Sequence, residues 1–393
     1  MPVIDPQSQL HRDMIAWRHD LHRHPELGLQ EQRTSAMVQT ALRRFGVDEV
    51  ITGLAGTGVV GVINGHRPGR AIGLRADMDA LPIREETGLP HASCTDGLMH
   101  ACGHDGHTAM LLGASHYLAA TRDFAGTVYA IFQPGEEGCG GAALMIRDGL
   151  FERCPMEAVH GLHNWPQLPV GCFGWRPGPI TAGAAKLEIS ILGRGCHAAF
   201  PHLGVDPVVV ASHVVCSLQT IISRMIDPVE SGVVTIAQMT AGSACNVIPN
   251  SATMHGTLRW SRPSVGELLE TEVRRIASGI AESLGAVADI TIEPVMPATI
   301  NDPALAERSG RAAAAVVGET RVERLEKPSM AGEDFAFMLN ALPGNYILLG
   351  SGQSATPVQS AEYDFNDDIL PLGASYWITL AEQSLKPSPG SAM

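Results

Sequence analysis

The chain has 393 residues, 45% of them apolar and 17% charged, with a formal charge of −14. That length allows two domains of ordinary size, and the acidic balance argues against nucleic acid or an anionic membrane as partner, since either needs a basic face. Eight cysteines without a C-x-x-C pair make no disulfide framework, no secretory leader is apparent, and no stretch reaches the ~18 apolar residues of a membrane span. The expectation is a soluble, acidic, cytoplasmic protein with reduced thiols.

Residues from about 8 to 45 read as helical, broken at Pro25. From about 55 to 180, strand-like and helix-like stretches alternate, as in an α/β layer structure. Residues 71–74, 126–132 and 156–159 are apolar and end at turn residues, which predicts buried strands. Residues 108–118 carry an apolar stripe, and 141–148 opens a further helix. The texture then changes. Strands at 186–192, 233–239, 252–260 and 288–292 alternate with helices at 206–225 and 264–284, with Asp206 as N-cap before Pro207 and a capping box at Ser264 and Glu267. That order, β-α-β-β-α-β, matches a ferredoxin-like module. From about 295 the α/β pattern resumes, with helix 303–318, strand 345–349 and helix 370–385. The fold expected is a two-domain α/β protein: a catalytic α/β domain over 1–183 and 295–393, interrupted by a smaller α+β domain over 184–294.

Four short motifs carry chemistry. HACGHDGH at 100–107 offers Cys102 and His104, a thiolate and an imidazole suited to zinc-like ions. Gly103 and Gly106 keep this segment irregular and free to aim its side chains. QPGEEG at 133–138 places Glu136 and Glu137 after an apolar strand. Neighbouring residues of extended chain point opposite ways, so one can bind metal while the other serves as general base. HGLHNWP at 160–166 follows another strand and offers His163, with His160 read as supporting or buried. His107 and Asp105 read as hydrogen-bond supports for a ligand. Asp77 and Asp79 are open between that role and capping the next turn. In an open α/β sheet ligands gather beyond the carboxyl ends of the strands, so residues just after strands are expected to converge.

GTGVVG at 56–61 satisfies G-x-G-x-x-G, and Asp77 lies about where a ribose contact would. The residues that follow are β-branched and lead to a turn at Gly65 and Pro68, so a strand and hairpin are expected there instead of a dinucleotide site.

Together with HDLHRHPELG (19–28), LRADMDALP (74–82), GRGCHAAFPH (193–202), AGSACNVIP (241–249), GTLR (256–259), GEDF (332–335) and YDFND (363–367), the motifs resemble a family of metal-dependent amidohydrolases. That family includes hippurate hydrolases, N-acyl-amino-acid aminoacylases and auxin-conjugate hydrolases, and the likeness spans nearly the whole chain. The resemblance implies a metallopeptidase-like α/β/α catalytic domain with a mixed sheet. It implies up to two divalent ions per subunit (zinc, manganese, cobalt or nickel) held by Cys102, His104, Glu137 and His163, and a water activated by Glu136. The inserted domain would be a lid and a surface for a homodimer or higher homo-oligomer. His197 would stabilise the oxyanion, while Asn246 and Arg259 grip the substrate carboxylate. The substrate implied is a small N-acyl or N-aroyl amino acid. The alternatives are a dipeptidase or biosynthetic deacylase on the same scaffold, and a binding protein without turnover.

One position departs from the family. A histidine four residues before YDFND is the usual last metal ligand; here that residue is Gln359, and no histidine follows His255. A neutral amide oxygen is a poorer ligand than imidazole. The departure predicts a weak or missing second ion, or a substitute ligand in Glu362 or Asp364.

Overall fold

The structure is a computed structural model and describes residues 2–352 and 356–386. The chain divides into two units. Met1–Ile180, Ile300–Lys327 and Asp334–Met393 form the larger, and Thr181–Thr299 with Pro328–Glu333 the smaller.

The larger unit is built on an eight-stranded mixed sheet. Its order is Glu49–Leu54, Gly58–Asn64, Ala125–Gln133, Arg67–Asp77, Ala158–Trp165, Gly344–Gly350, Phe173–Trp175 and Val322–Arg324. Gly58–Asn64, Ala125–Gln133, Ala158–Trp165 and Gly344–Gly350 are buried almost end to end because both faces are covered. Within Ala125–Gln133, Val128, Ala130 and Phe132 join a core with helices Gln9–Arg23, His104–Thr121, Pro303–Val317 and Leu370–Ser384. Tyr129 and Ile131 point the other way, into a core with Gly141–Arg147 and Ala336–Ala341. Arg67–Asp77 runs parallel to both Ala125–Gln133 and Ala158–Trp165. The chain therefore leaves Asp77 and Gln133 at the same edge, where the site is assembled.

Several local expectations are corrected. The strand expected at 156–159 is Ala158–Trp165, so His160 and His163 lie within it and face opposite ways. The helix expected from 108 starts at His104, which places Gly106 in its first turn and not in irregular chain. Its glycine is required because a Cβ there would meet the Phe365 ring at 2.3 Å. The 56–61 glycines lead into Gly58–Asn64, which pairs antiparallel with Glu49–Leu54, so a strand follows them.

The smaller unit has a four-stranded antiparallel sheet ordered Gly232–Ala241, Ser251–Trp260, Gly183–Leu192 and Val287–Met296. Numbered along the chain this is 2-3-1-4, the ferredoxin-like arrangement. Leu187, Ile189 and Ile191 alternate onto the buried face. Val210, Val214, Leu218 and Ile221 of one helix, and Leu269, Val273, Ala277 and Ala281 of the other, cover it at helical spacing. Helix Pro207–Arg224 is long and apolar enough to cross a membrane by length and composition; its apolar stripe is instead part of this core. Asp206 caps it, accepting from Val208 N. The expected Ser264–Glu267 box does not form: the helix begins one residue earlier, at Pro263, with Arg262 as N-cap. Pro328–Glu333, assigned to the catalytic layer on sequence, joins the smaller unit. Met330 O accepts from Arg259 Nη1 at 2.8 Å and Ala331 O from Ala182 N at 2.8 Å.

Candidate metal centre

Three chain segments meet at the carboxyl edge of the large sheet. Gly103 turns the chain into the His104–Thr121 helix with φ +93°, a left-handed conformation that favours glycine, and a Cβ there would sit 2.3 Å from Asn164 Oδ1. Cys102 and His104 therefore stand on either side of a tight, glycine-dependent corner. Cys102 Sγ lies 3.5 Å from His163 Nε2. Ligand atoms of Cys102, His104 and His163 all fall within 4.8 Å of one another, as do those of His104, Glu136 and Glu137. All five sequence-predicted residues of the larger unit are thus brought together, with His104 common to both groups.

The two imidazoles are oriented alike. His104 Nδ1 donates to Asp79 O at 2.9 Å and lies 3.1 Å from Asp79 Oδ1. His163 Nδ1 donates to Asn164 O at 2.7 Å. In each ring Nδ1 donates to an oxygen, so Nε2 is the nitrogen aimed at the centre, where a cation can take the place of any proton on it. His104 Nε2 is buried without a hydrogen-bond partner. A buried, open nitrogen among sulfur and carboxylate donors fits a divalent cation of the zinc–manganese class.

The carboxylates are held separately. Glu136 Oε1 accepts from Asp334 N at 3.3 Å. Glu137 is anchored by its own N–H, which donates to Asp79 Oδ2 at 2.8 Å, and both its carboxylate oxygens accept from Gln359 Nε2 at 3.1 Å. Asp79 therefore ties the His104 corner to the Glu137 loop, which settles its role as a support. Asp77 is a support as well: it accepts from His107 Nδ1 at 2.6 Å and from Arg75 Nη1 at 2.8 Å.

Electrostatics follow from burial and crowding. Burial opposes charge on His104, but Asp77 and Cys102 outweigh it and hold its pKa well above the imidazole range. His163 is pushed well below that range by burial and by His107 beside it. Burial raises the Cys102 thiol and the Glu137 carboxyl, each opposed by His104. A divalent cation favours the thiolate, neutral imidazoles and carboxylates together, so the deprotonated ligand set is the one that ion binding selects.

Gln359 occupies the position beside this cluster that its sequence register implies, with its side-chain amide on Glu137. Of the two suggested substitutes, Asp364 is engaged elsewhere, paired with Arg18 and 3.1 Å from His91 Nε2. Glu362 is exposed, and neither belongs to a metal-type cluster among the described residues. Arg18 and His22, from the first helix, reach Asp105 Oδ2 at 2.9 and 2.8 Å and brace the residue next to His104.

Sequence reasoning missed several supports. Glu31, fully buried, accepts from Gly135 N at 2.9 Å and from Thr57 Oγ1 at 2.7 Å, fixing the loop that carries the glutamates. Asp334 accepts from Gln133 Nε2 at 2.7 Å and Ala142 N at 3.0 Å while its own N–H holds Glu136. Tyr363 accepts from Asn164 Nδ2 at 2.8 Å. Asp334 and Tyr363 lie in motifs that signalled importance without a role; Glu31 had no signal of its own.

The remaining candidates lie in the smaller unit. His197 is exposed on the two-residue strand Cys196–His197, paired with Val247–Ile248. Its Nδ1 accepts from Ala199 N at 3.0 Å, which leaves the proton on Nε2. Asn246 is its neighbour, with Asn246 O accepting from Ala198 N at 3.0 Å. Arg259 sits half-buried on Ser251–Trp260, bound to Met330 O.

Comparison with known proteins adds to this geometry. The model of peptidase family M20/M25/M40 matches residues 73–383. A hippurate hydrolase from Campylobacter jejuni is 39% identical over 98% of both chains. An N-acetylcysteine deacetylase from Bacillus subtilis is 37% identical over 94% of this chain and 96% of its own. An IAA-amino acid hydrolase from Arabidopsis thaliana is 40% identical over 95% of this chain and 86% of its own. Among solved structures, a Bacillus subtilis protein described as a dinuclear metal binding peptidase superposes with a TM-score of 0.85 and 34% identity, covering 96% of this chain and 98% of its own.

Proposed function

From the premise that the chain belongs to the M20/M25/M40 peptidase family and is a metal-dependent amidohydrolase, we propose that it cleaves N-acyl and N-aroyl amino acids of the hippurate type. The products are a carboxylic acid and a free amino acid. The observation that carries this reading is the shared chemistry of the relatives' names. Hippurate, N-acetylcysteine and an IAA-amino acid are each an acyl group joined by an amide to an amino acid.

Cys102, His104, Glu137 and His163 would hold the metal, up to two ions, and their donors suit zinc, manganese, cobalt or nickel. When bound, such an ion polarises the scissile carbonyl and acidifies water. Glu136 is the proton carrier. Its carboxylate takes a proton from the attacking water and returns it to the amide nitrogen as the C–N bond breaks. Holding Oε1 on Asp334 N–H fixes the side chain for that transfer. His197 suits the oxyanion role because its Nε2 carries the proton and can donate to an oxygen gaining charge. Asn246 and Arg259 supply an amide and a guanidinium for the substrate carboxylate.

The test is a comparison of initial rates on hippurate, N-acetylcysteine and an unblocked dipeptide by metal-loaded protein. Turnover of the acylated substrates with little on the dipeptide supports the reading. Turnover of the dipeptide alone replaces it with a dipeptidase, and turnover of none removes it.

A further inference from the structure

The other edge of the large sheet carries a second set of polar groups. Ile72, Ala158 and Pro343, at or just before the starts of the paired parallel segments, border a cavity of about 230 Å³ also lined by Arg70, Arg308, Glu157, Asp302 and His160. A second cavity of about 340 Å³ shares Arg70, Arg308 and Ser384 with it and adds Arg311 and Lys386. His160 and His163 are on one strand three residues apart, roughly 10 Å along it, but His160 faces away from the metal-type cluster. The whole arrangement lies within the larger unit.

His160 is the unusual member. Its side chain is 1% exposed, Nδ1 lies 2.5 Å from Asn345 Oδ1, and Nε2 is buried with no hydrogen-bond partner. Burial and the nearby Arg308 lower its pKa to about 4, with Asn345 opposing. The ring is neutral at pH 7, its proton is on Nδ1 toward Asn345, and Nε2 is a bare acceptor. A buried acceptor left open beside a cavity calls for a donor to meet it.

We propose that the two cavities form one binding site for a small phosphomonoester whose organic part carries a hydroxyl group. The outer cavity has Arg70, Arg308, Arg311 and Lys386 and no carboxylate in its lining. These are four of only 27 basic residues in a chain of charge −14, and Lys386 is one of three lysines. Arg70 is partly engaged, donating to Ser384 O at 3.2 Å and pairing with Glu157 at 4.0 Å, and Arg311 pairs with Glu307 at 3.4 Å. Arg308 and Lys386 have no ion-pair partner among the described residues. Guanidinium forks match the oxygens of a phosphate dianion. The inner cavity is the opposite in kind. Its polar groups include the His160 acceptor and the carboxylates of Glu157 and Asp302, beside apolar Ile72, Leu305 and Leu385. Asp302 caps its helix through Leu305 N and Glu157 pairs with Arg70, so the open His160 acceptor is the group that matches a hydroxyl, and the apolar wall matches a carbon skeleton.

The test is calorimetric titration of the metal-loaded protein with glycerol 3-phosphate and, separately, with inorganic phosphate. Wild type is compared with Arg308→Glu/Arg311→Glu, both on an exposed helix face, and with His160→Phe. Any phosphate binding at the metal centre is common to all three proteins, so only the differences count. Saturable binding of glycerol 3-phosphate is expected, weakened roughly tenfold or more by the double charge reversal. His160→Phe is expected to weaken glycerol 3-phosphate and leave inorganic phosphate unchanged. No saturable binding to wild type, or equal affinity in the charge-reversed protein, overturns the site. Equal affinities of wild type for the two probes overturn the organic ester and leave an oxyanion patch only.

Discussion

His104 and His197 are both imidazoles whose proton position is set by a backbone group, and they are set oppositely. His104 donates from Nδ1 to Asp79 O, so its buried Nε2 is the nitrogen left to give an electron pair to a cation. His197 takes a hydrogen bond from Ala199 N at Nδ1, so its exposed Nε2 is a proton donor. The first suits a cation and the second an oxyanion. The surroundings differ in the same sense. His104 is enclosed by Asp77, Asp79, Cys102 and the glutamate loop, while His197 sits on a two-residue strand at the surface of its unit. A ligand that fixes an ion must be held from several sides. A residue that helps only as charge develops can be lightly anchored.

Removing each kind of support should therefore fail differently. His197→Ala is expected to lower kcat by roughly 10²–10³-fold, the usual loss for an oxyanion donor, with metal content unchanged by elemental analysis. Lost metal in that variant would erase the distinction. Asp79→Asn weakens the grip on both His104 and Glu137, and metal affinity should fall by roughly 10–100-fold, with kcat near wild type once metal is saturating. Chelator competition reads the first and steady-state kinetics the second. Gln359→His converts the amide beside Glu137 into an imidazole and should tighten metal binding by about tenfold; unchanged affinity in a titration would show that this position does not reach an ion.

The smallest effect concerns the brace behind His104. Burial opposes charge on His22, but its hydrogen bonds to Asp105 and Glu85 outweigh that and raise its pKa to about 9. The unfolded value is about 6.5, so the protonated ring stabilises the fold fully below pH 6.5, and this contribution is lost as pH rises toward 9. Melting temperature should decline more steeply between those limits in wild type than in His22→Asn. Parallel curves would remove His22 from the account.

The parts of this architecture that repeat or alternate were legible in the sequence. An apolar run marked Ala125–Gln133, alternation marked Gly183–Leu192, and the β-α-β-β-α-β order marked the ferredoxin-like unit. Cys102, His104, Glu136, Glu137 and His163 were legible because residues of metal-ligand type recur in short glycine-bearing motifs near the ends of apolar strands. What could not be read was contact between distant positions. Glu31 holds the Gly135 backbone from 104 residues away, and Asp334 reaches Ala142 from 192. Neither leaves a periodic trace. Gly106 was misread for a related reason, because what excludes a side chain there is Phe365, far along the chain. The Ser264 box had the right spacing, but Pro263 takes the first helical position and displaces the cap to Arg262.

The account rests on Glu136 carrying the proton while its neighbours carry the metal. The most direct test is metal content and hippurate hydrolysis measured together on wild type and Glu136→Ala. The prediction is a fall in kcat of roughly 10²–10⁴-fold with the same metal bound per subunit. Hydrolysis near the wild-type rate in the variant, or loss of the metal with the activity, would contradict it.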